Sequence, residues 1–577
     1  MVLLVPGTRS LDENGSAAAQ TAVRPNIVFV MTDDLDEQSM QQLSGIRNIM
    51  GSNGTTFENA YVTYSLCCPS RATILRGQYP HNHHIIGNSP PQGGAKKFRE
   101  TGLDKSTTAT WLNGAGYQTK YIGKYMNGYG GLLVPPGWDE WFVLMGDPKD
   151  GRINQDGREI ALSGHSTDVF ANNASDFIRR SAANPQPFFV TVGTVAPHSP
   201  PPVADRYKSF FGSTALPRPP NFDEMDVSDK PRYVRSYDRL TNTKITNLQS
   251  EYRQRLRSML SVEDLLRQII TTLRDKGELN NTYIFFTSDN GFHMGNHRVY
   301  PGGKWLPYEE DIGVPLMVRG PGVPANATRQ QLVINNDFAP TMADLADVPV
   351  PAFVDGRSFA PLLTVSPPSS WRAAFLEEGW LDTSTGVPKV PTHKGVHTQD
   401  HMLVEYDTGE RELYDLIVDP YQLQSKSRTG NESLYSALET RLYNLRDCSA
   451  AACRTAEWTT DATAPRVTSA SPAANAVGVS PSANLTATFS ENMQASSVNA
   501  TTFKLFERGS TMQVGAPVSY SASTDRATLD PTNPLKTGVT YDVRLTTEAK
   551  DPVGNHLDQS SSTTGLQQKV WSFTVSN

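Results

Sequence analysis

The feature that most constrains this chain is a set of short, continuous apolar runs recurring between helical patterns. Asn26–Thr32 (NIVFVMT), Tyr117–Ile122, Pro187–Gly193 (PFFVTVG), Thr282–Ser288 (TYIFFTS) and Val314–Arg319 are strand-length, and several do not alternate with polar residues. A strand that is apolar on both sides must be covered on both faces, which points to a sheet inside an α/β protein. Between the runs, Ser250–Lys276 sets Leu256, Met259, Leu260, Leu266, Ile269, Ile270 and Leu273 at helical spacing, and Gly277 ends the pattern. Strands alternating with helices predict a mixed, mostly parallel sheet sandwiched by helices. In such sheets ligands gather beyond the carboxyl ends of the strands.

Polar groups stand at those ends. Asp33 and Asp34 follow the first run, His198 lies beyond the third, and Asp289 and Asn290 follow the fourth. Carboxylate and amide oxygens arriving from separate strands suit a hard divalent cation such as calcium or magnesium. Each pair alone also reads as a helix cap or Asx turn, which favour the same residue types.

At 577 residues the chain exceeds the ~100–200 expected of one domain. Residues 1–24 are a polar lead-in, and 25–368 form the main α/β domain. Over 369–453 the pattern changes to short hairpin stretches, such as His401–Tyr406 before Asp407-Thr408-Gly409, and a helical segment near Glu432–Leu445, which together predict an α+β subdomain. A linker spans 454–465. In 466–577, Asn484–Phe489, Thr502–Phe506, Thr540–Thr547 and Lys569–Val575 read as strands between Pro, Gly and Asn turns, the pattern of a separate β-sandwich.

Charge and cysteine usage narrow the setting. The net charge is −7, with no basic block, so nucleic acid is not an expected partner. No apolar run approaches the ~20 residues that span a bilayer, so no transmembrane segment is expected. Met1–Gly7 is apolar but lacks the basic region and length of a signal peptide, and reads as a trimmed leader. Cys448 and Cys453 enclose four small residues and can close a surface disulfide or remain free thiols.

Leu66–Gln78 reads LCCPSRATILRGQ. A vicinal disulfide or two buried thiols would explain Cys67 and Cys68, but not Pro69, Ser70 and Arg71 in that order. The stretch resembles the signature of the formylglycine-dependent (type I) sulfatases, in which the first cysteine is oxidised to formylglycine. The resemblance continues through NIVFVMTDD, GYQTKYIGK, APHSP, SDNG, Gly303-Lys304 with Tyr308-Glu309, VPLMVRGPG and DGRSFAPLL, and covers most of residues 25–455. CCPSR, PHNHH, GKYMNGYG and ELYDLIVDPYQL are most similar to the N-acetylglucosamine-6-sulfatase/arylsulfatase branch.

The resemblance implies an alkaline-phosphatase-like fold and release of sulfate from a sulfated carbohydrate, 6-O-sulfated N-acetylglucosamine among the candidates, or from an aryl sulfate. It implies that Asp33, Asp34, Asp289 and Asn290 hold a divalent metal, usually Ca2+, with Mg2+ possible, and that the metal also holds one oxygen of hydrated formylglycine at position 67 (Cys67). One hydroxyl of that hydrate would attack sulfur; the other would collapse to the aldehyde and expel sulfate, with Asp289 accepting the attacking hydroxyl's proton. Arg71 would lie one turn along the following helix and hold this centre together. Lys124, His198 and Lys304 match sulfate-binding positions, with His198 or Lys304 protonating the leaving alcohol. A histidine that many sulfatases carry two residues after Lys124 is here Met126, followed by Asn127. Asn127 or a histidine of His81-Asn82-His83-His84, His84 included, is the candidate substitute. His293 and His297 read equally as pocket residues or as loop structure. Maturation implies a formylglycine-generating enzyme as partner. A phosphate or phosphonate ester hydrolase of the same superfamily is the alternative activity.

From about Pro465 onward, SPAANAVGVSPSANLTATFSENM, DPVGNHL and VWSFTV resemble bacterial Ig-like domains of exported proteins. That implies a bacterial protein that is secreted or held in the periplasm or cell envelope. The module would act as a spacer, a surface attachment or a carbohydrate contact.

Overall fold

Strand β1 (Asn26–Asp33) is buried along its whole length and organises the sheet around it. The computed structural model describes residues 24–368, 370–381, 390–458, 464–490, 493–521, 524–551, 555–560 and 565–576. The expected lead-in, with Met1–Gly7, lies outside the described residues except for Arg24, as do residues 459–463 of the expected linker.

Eleven further strands follow β1 in this part of the chain. They are β2 (Thr55–Phe57), β3 (Ala60–Tyr61), β4 (Gln118–Gly123), β5 (Glu140–Met145), β6 (Arg152–Gln155) and β7 (Arg158–Ala161). Next come β8 (Phe188–Pro197), β9 (Thr282–Ser288), β10 (Leu316–Arg319), β11 (Ala327–Arg329) and β12 (Val333–Ile334). Ten of the twelve form one sheet in the order β11-β2-β10-β9-β1-β8-β4-β5-β6-β7, while β3 pairs with β12. The centre, β9-β1-β8-β4-β5, is parallel. Antiparallel pairs flank it, β10 on one side and the β6–β7 hairpin on the other.

The two faces of β1 explain its unbroken apolar sequence. Val28 and Val30 join a core with Val190, Val192 and Ile122 and with Phe170, Ile178, Leu256, Met259 and Leu266 from two covering helices, Ser166–Ser181 and Asn242–Asp275. On the other face Phe29 meets Phe338 at 5.3 Å and Phe285 at 6.2 Å between ring centroids. Phe338 belongs to a helix, Phe338–Leu345, so helices lie on both sides of the sheet, as the sequence predicts.

The long helix starts at Asn242, capped by the Thr241 side chain accepting from Lys244 N, and not at the expected Ser250. Its first turns, Asn242–Asn247, are mostly polar, and the buried stripe begins only at Leu248. Strands β6 and β7 were not expected either. Within them only Ile153 and Asn154 are buried, so no apolar run marks them.

The described residues divide into two compact units. The first holds the ten-stranded sheet and also residues 400–430, where β15 (His401–Tyr406) and β16 (Arg411–Asp415) form the expected antiparallel hairpin, following β13 (Ala374–Gly379) and β14 (His393–Thr398). The second runs from Asn431 and includes residues 370–376 and 396–399. It contains helix Glu432–Leu445 at the expected bounds and a Cys448–Cys453 disulfide, the closed alternative of the two read from the sequence.

Its remaining strands are β17 (Val467–Ser471), β18 (Ala476–Val479), β19 (Leu485–Phe489), β20 (Phe503–Glu507), β21 (Val518–Ser521), β22 (Arg526–Leu529), β23 (Thr540–Leu545) and β24 (Lys569–Val575). They make two four-stranded sheets, β17-β19-β22-β21 and β18-β24-β23-β20. Leu485, Ala487 and Phe489 alternate inward to meet Leu505, Val543, Trp571 and Phe573 in one core, which is sandwich packing.

Leu266 is fully buried between helix and sheet. Leu266→Ala is expected to lower the stability of the first unit by about 2–5 kcal/mol, whereas Gln254→Ala, on the exposed side of the same helix, changes it by less than about 0.5 kcal/mol. Urea unfolding followed by tryptophan fluorescence measures the difference.

Candidate active site

β1 and β9 run side by side, with Thr32 opposite Ser288, so Asp33-Asp34 and Asp289-Asn290 leave the sheet at adjacent points. The turn is tied locally: Asp34 N donates to Asp289 Oδ1 at 3.0 Å, Leu35 N to Ser288 Oγ at 2.8 Å, and Asp289 N to Thr32 O at 3.1 Å. Asp34 adopts φ +68°, a left-handed conformation in which Asp is among the better tolerated residues. Asp33, Asp34 and Asp289 each bring a carboxylate oxygen to within 4.8 Å of the others, and all three side chains are buried.

Helix Cys67–Arg76 delivers the next groups. Cys67 is its first residue and Arg71 lies one turn on, as the sequence predicts. The Arg71 guanidinium is buried and divides its donors: Nε reaches Asp289 Oδ2 at 2.8 Å, Nη1 reaches the carbonyls of Lys124 and Tyr125 at 2.7 and 3.1 Å, and Nη2 stands 3.8 Å from Asp33 Oδ1. Lys124, just past β4, donates to Asp33 Oδ2 and lies 3.9 Å from Cys67 Sγ. Lys304 donates to Asp34 Oδ1, and its Nζ is 2.7 Å from Cys67 Sγ. His198, just past β8, has Nε2 3.8 Å from Asp34 Oδ2. Its side chain is 36% exposed, unlike the others, and lines a pocket of about 280 Å3 together with Lys124, Tyr125, Met126, Asn127 and Lys149.

The electrostatics follow from burial and proximity. Burial alone would raise Asp33, but Lys124, His198, Arg71 and Lys304 outweigh it and hold the carboxyl well below its usual range. Asp34 is lowered in the same way, chiefly by Lys304 and His198. Asp289 moves oppositely: burial, reinforced by the charges of Asp33 and Asp34 and opposed by Arg71, pushes it up to about 6. Burial likewise raises the Cys67 thiol even though Lys124 and Lys304 face it. In His198 burial depresses the imidazole, against the pull of Asp33 and Asp34.

The donor set fits a hard divalent cation. Three buried carboxylates converge, and Asn290 adds an amide whose Oδ1 is buried without a hydrogen-bond partner while its Nδ2 donates to Asp34 Oδ1 at 2.8 Å. An orphaned carbonyl oxygen beside carboxylates is what such an ion would satisfy.

Several other expected site residues have different partners. His81 pairs with Glu378 at 2.8 Å and His83 with Thr73 Oγ1 at 2.9 Å, while His84 is exposed at the end of the short helix Pro80–His83. His293 is buried with Nδ1 2.8 Å from Asp311, and its backbone exchanges two hydrogen bonds with Gly303, beside Lys304. His297 is buried with Nδ1 2.6 Å from Glu224, and burial brings it down to about 3. Asn127 lines the pocket, with its Oδ1 buried and unpartnered.

Sequence reasoning missed Arg255. Its guanidinium stacks 4.0 Å over the Phe292 ring, donates to Asp34 O and to Pro197 O (3.3 Å), and meets Asp36 at 3.4 Å. It therefore fixes the backbone that presents both Asp34 and His198. A signal was present: Leu248, Tyr252, Arg255, Met259 and Val262 share the buried stripe, and an arginine within such a stripe demands acceptors.

A parallel sheet edge that collects three carboxylates, two lysines and a helix-borne arginine and cysteine suits metal-assisted hydrolysis, and the fold is alkaline-phosphatase-like. Residues 25–348 match the sulfatase family, 295–448 the C-terminal region of N-sulphoglucosamine sulphohydrolase, and 461–575 a bacterial Ig-like domain. The N-acetylglucosamine-6-sulfatase of Capra hircus is 36% identical over 486 residues, covering 76% of this chain and 86% of that protein. A chain solved in complex with its substrate D-glucosamine-2-N,6-O-disulfate superposes with a TM-score of 0.64 at 27% identity, over 73% of this chain and 97% of that one. A phosphonate monoester hydrolase from Silicibacter pomeroyi, at TM-score 0.56 and 19% identity over 74% and 96% of the two chains, shares the fold. The chain belongs to the sulfatase family and is a sulfuric ester hydrolase. Among the described residues no helix is long and apolar enough to cross a membrane.

Removing the Arg71 guanidinium leaves Asp33 and Asp289 buried without their shared cation. Arg71→Ala is expected to cost about 3–5 kcal/mol of stability. Arg71→Lys retains the charge but cannot reach a carboxylate and two carbonyls together, and should fall between the two in a thermal unfolding series.

Proposed function

We propose that this protein removes sulfate from a sulfated glycan, with 6-O-sulfated N-acetylglucosamine or a related glucosamine as the sugar, through formylglycine made from Cys67. The observation that carries this reading is the seat of Cys67: at the start of a helix, with Lys304 Nζ 2.7 Å and Asp33 Oδ1 3.5 Å from its sulfur. The branch-specific motifs, the relative named as an N-acetylglucosamine-6-sulfatase and the similar chain solved with a sulfated glucosamine support the choice of substrate.

Expelling an alkoxide from a sulfate ester requires cationic cover over the sulfate oxygens and a strong nucleophile. A divalent cation, calcium in this reading, supplies Lewis-acid charge when held by Asp33, Asp34, Asp289 and Asn290. Formylglycine supplies, as its hydrate, one hydroxyl for attack on sulfur and a second whose collapse releases sulfate. Lys124 and Lys304 flank position 67 and neutralise the sulfate oxygens. Asp289, oriented by Arg71 Nε at 2.8 Å, is the carboxylate that accepts the proton of the attacking hydroxyl. Lys304 is held on Asp34, whereas His198 lines the open pocket. We therefore assign protonation of the leaving oxygen to His198. Asn127, with a free buried Oδ1 in that pocket, is the counterpart of the histidine absent after Lys124. His293 acts indirectly by bracing the Lys304 segment.

In this scheme residues 25–368 carry catalysis with 369–453 as their subdomain, and 466–577 form a spacer module of an exported bacterial protein. Maturation requires a formylglycine-generating enzyme as partner. Cys67→Ala, produced alongside wild type in cells that make that enzyme, is expected to lose at least about a thousandfold in sulfate release. Unchanged turnover would sink the mechanism.

Treatment with a chelator should abolish turnover by the matured enzyme, and calcium should restore it. Rates on paired aryl sulfate and aryl phosphate esters separate this reading from a phosphate or phosphonate hydrolase, which faster phosphate turnover would establish.

A further inference from the structure

The residue assigned to the leaving oxygen is held from outside its pocket. Among the described residues the His198 ring makes no hydrogen bond of its own, and its Nε2 stands 3.8 Å from Asp34 Oδ2. A half-exposed imidazole without a partner can aim a proton only if the backbone beneath it is fixed. His198 N donates to Val195 O at 2.9 Å, at the end of β8. The residues on either side of it are gripped by one helix. Arg255 Nη1 donates to Pro197 O at 3.3 Å, and Ser199 Oγ donates to Glu251 Oε1.

Glu251 and Arg255 stand four residues apart in the helix Asn242–Asp275, so they lie on one face, a turn from each other. Leu248, Tyr252, Leu256 and Met259 around them are buried, which seats this part of the helix firmly. Arg255 is fixed further by the Phe292 ring, 4.0 Å below its guanidinium, and by Asp34 O and Asp36. Among the described residues neither Glu251 nor Arg255 lines the pocket of Lys124 and His198, whereas Ser199 does. A change at Glu251 therefore reaches the chemistry through Ser199 and the loop that carries His198.

We propose that Glu251 and Arg255 form a clamp across His198, with Glu251 as a positioning residue for the proton donor. Arg255 sets the side of the loop that adjoins Asp34, and Glu251 sets the other side. The inference rests on the assignment of His198 above and extends it to the helix behind. As the S–O bond breaks, its electron pair passes to the leaving oxygen, which takes the proton carried by His198. An oxygen that is stable as an anion has little need of that proton, and a sugar alkoxide has great need of it. The clamp should therefore matter in proportion to the basicity of the leaving group.

The test measures kcat and KM for 4-nitrophenyl sulfate, phenyl sulfate and 6-O-sulfated N-acetylglucosamine on the matured full-length enzyme, with rates divided by the formylglycine content of each preparation. His198→Ala sets the scale: kcat should fall at least about a hundredfold on the sugar and less than about fivefold on 4-nitrophenyl sulfate. Glu251→Ala should lower kcat about tenfold on the sugar, less on phenyl sulfate and under about twofold on 4-nitrophenyl sulfate, with KM unchanged on all three. Ser199→Ala removes the same bond from its other end and should match it, and the double variant should be no worse than either single one. Glu251→Gln keeps an acceptor for Ser199 and should restore most of the sugar rate.

A merely structural role for Glu251 would lower all three rates together. Equal losses on the three substrates, no loss at all, or additive losses in the double variant would overturn the clamp and leave the assignment of His198 standing. If His198→Ala itself lowers all three rates equally, that assignment is wrong and the clamp falls with it.

Discussion

The structure depends on balancing three carboxylates that the sheet forces out of water. Asp33, Asp34 and Asp289 are essentially inaccessible to solvent, and like charges this close in a medium of low dielectric repel strongly. Arg71, Lys124 and Lys304 supply the counter-charge from three separate parts of the chain. Each cation also does a second thing: Arg71 ties in the carbonyls of Lys124 and Tyr125, and both lysines face Cys67. The same ion pairs that make burial of the acids tolerable therefore place cationic groups around position 67. A buried ion pair is weak evidence for stability alone. In the proposed mechanism the surplus cationic atoms have a second use, as cover for the sulfate oxygens.

The sheet is what makes this convergence possible. Neighbouring parallel strands end at one edge, so β1, β9, β8 and β4 all deliver polar residues to the same side without a long excursion. The helices behind them complete the work, because Arg255 reaches from the long helix to the carbonyls of Asp34 and Pro197. A left-handed residue such as Asp34 is held there by the surrounding contacts. Packing of the 34-residue helix on the sheet is thus coupled directly to the position of a metal-capable carboxylate.

Much of this was legible in the sequence, and the reasons are specific. Thr282–Ser288 and Lys569–Val575 have the expected bounds, because unbroken or alternating apolar runs between turn residues leave little freedom. Asp33-Asp34, His198 and Asp289-Asn290 stood out at strand ends, where an α/β sheet binds, but each also read as a cap or turn until the stretch Leu66–Gln78 was set beside them. Lys304 could not. It sits in an irregular segment whose course depends on His293, Asp311 and Ser65, and only resemblance to a family marked it. Arg255 escaped because the apolar members of its stripe carry the helical periodicity by themselves. The polar β6–β7 hairpin escaped because it buries almost nothing.

The open and closed halves of the site obey different constraints. Around Cys67 every charged group has a partner, and changing one exposes another to an uncompensated desolvation cost. On the side of His198 and Tyr125–Leu133 the contacts are with backbone, glycine and aromatic rings, and two acceptors, Asn127 Oδ1 and Asp104 Oδ1, stand without donors. His198 helps to hold Asp33 and Asp34 low, so within that half it is the Tyr125–Leu133 stretch, with no carboxylate, lysine, arginine or histidine, that stands outside the charge balance. Met126, two residues after Lys124, is buried, and it lines the pocket of His198 together with Asn127. In the proposed mechanism the chemistry draws on both halves: Cys67, Asp289 and the two lysines from the closed one, and His198 from the open one.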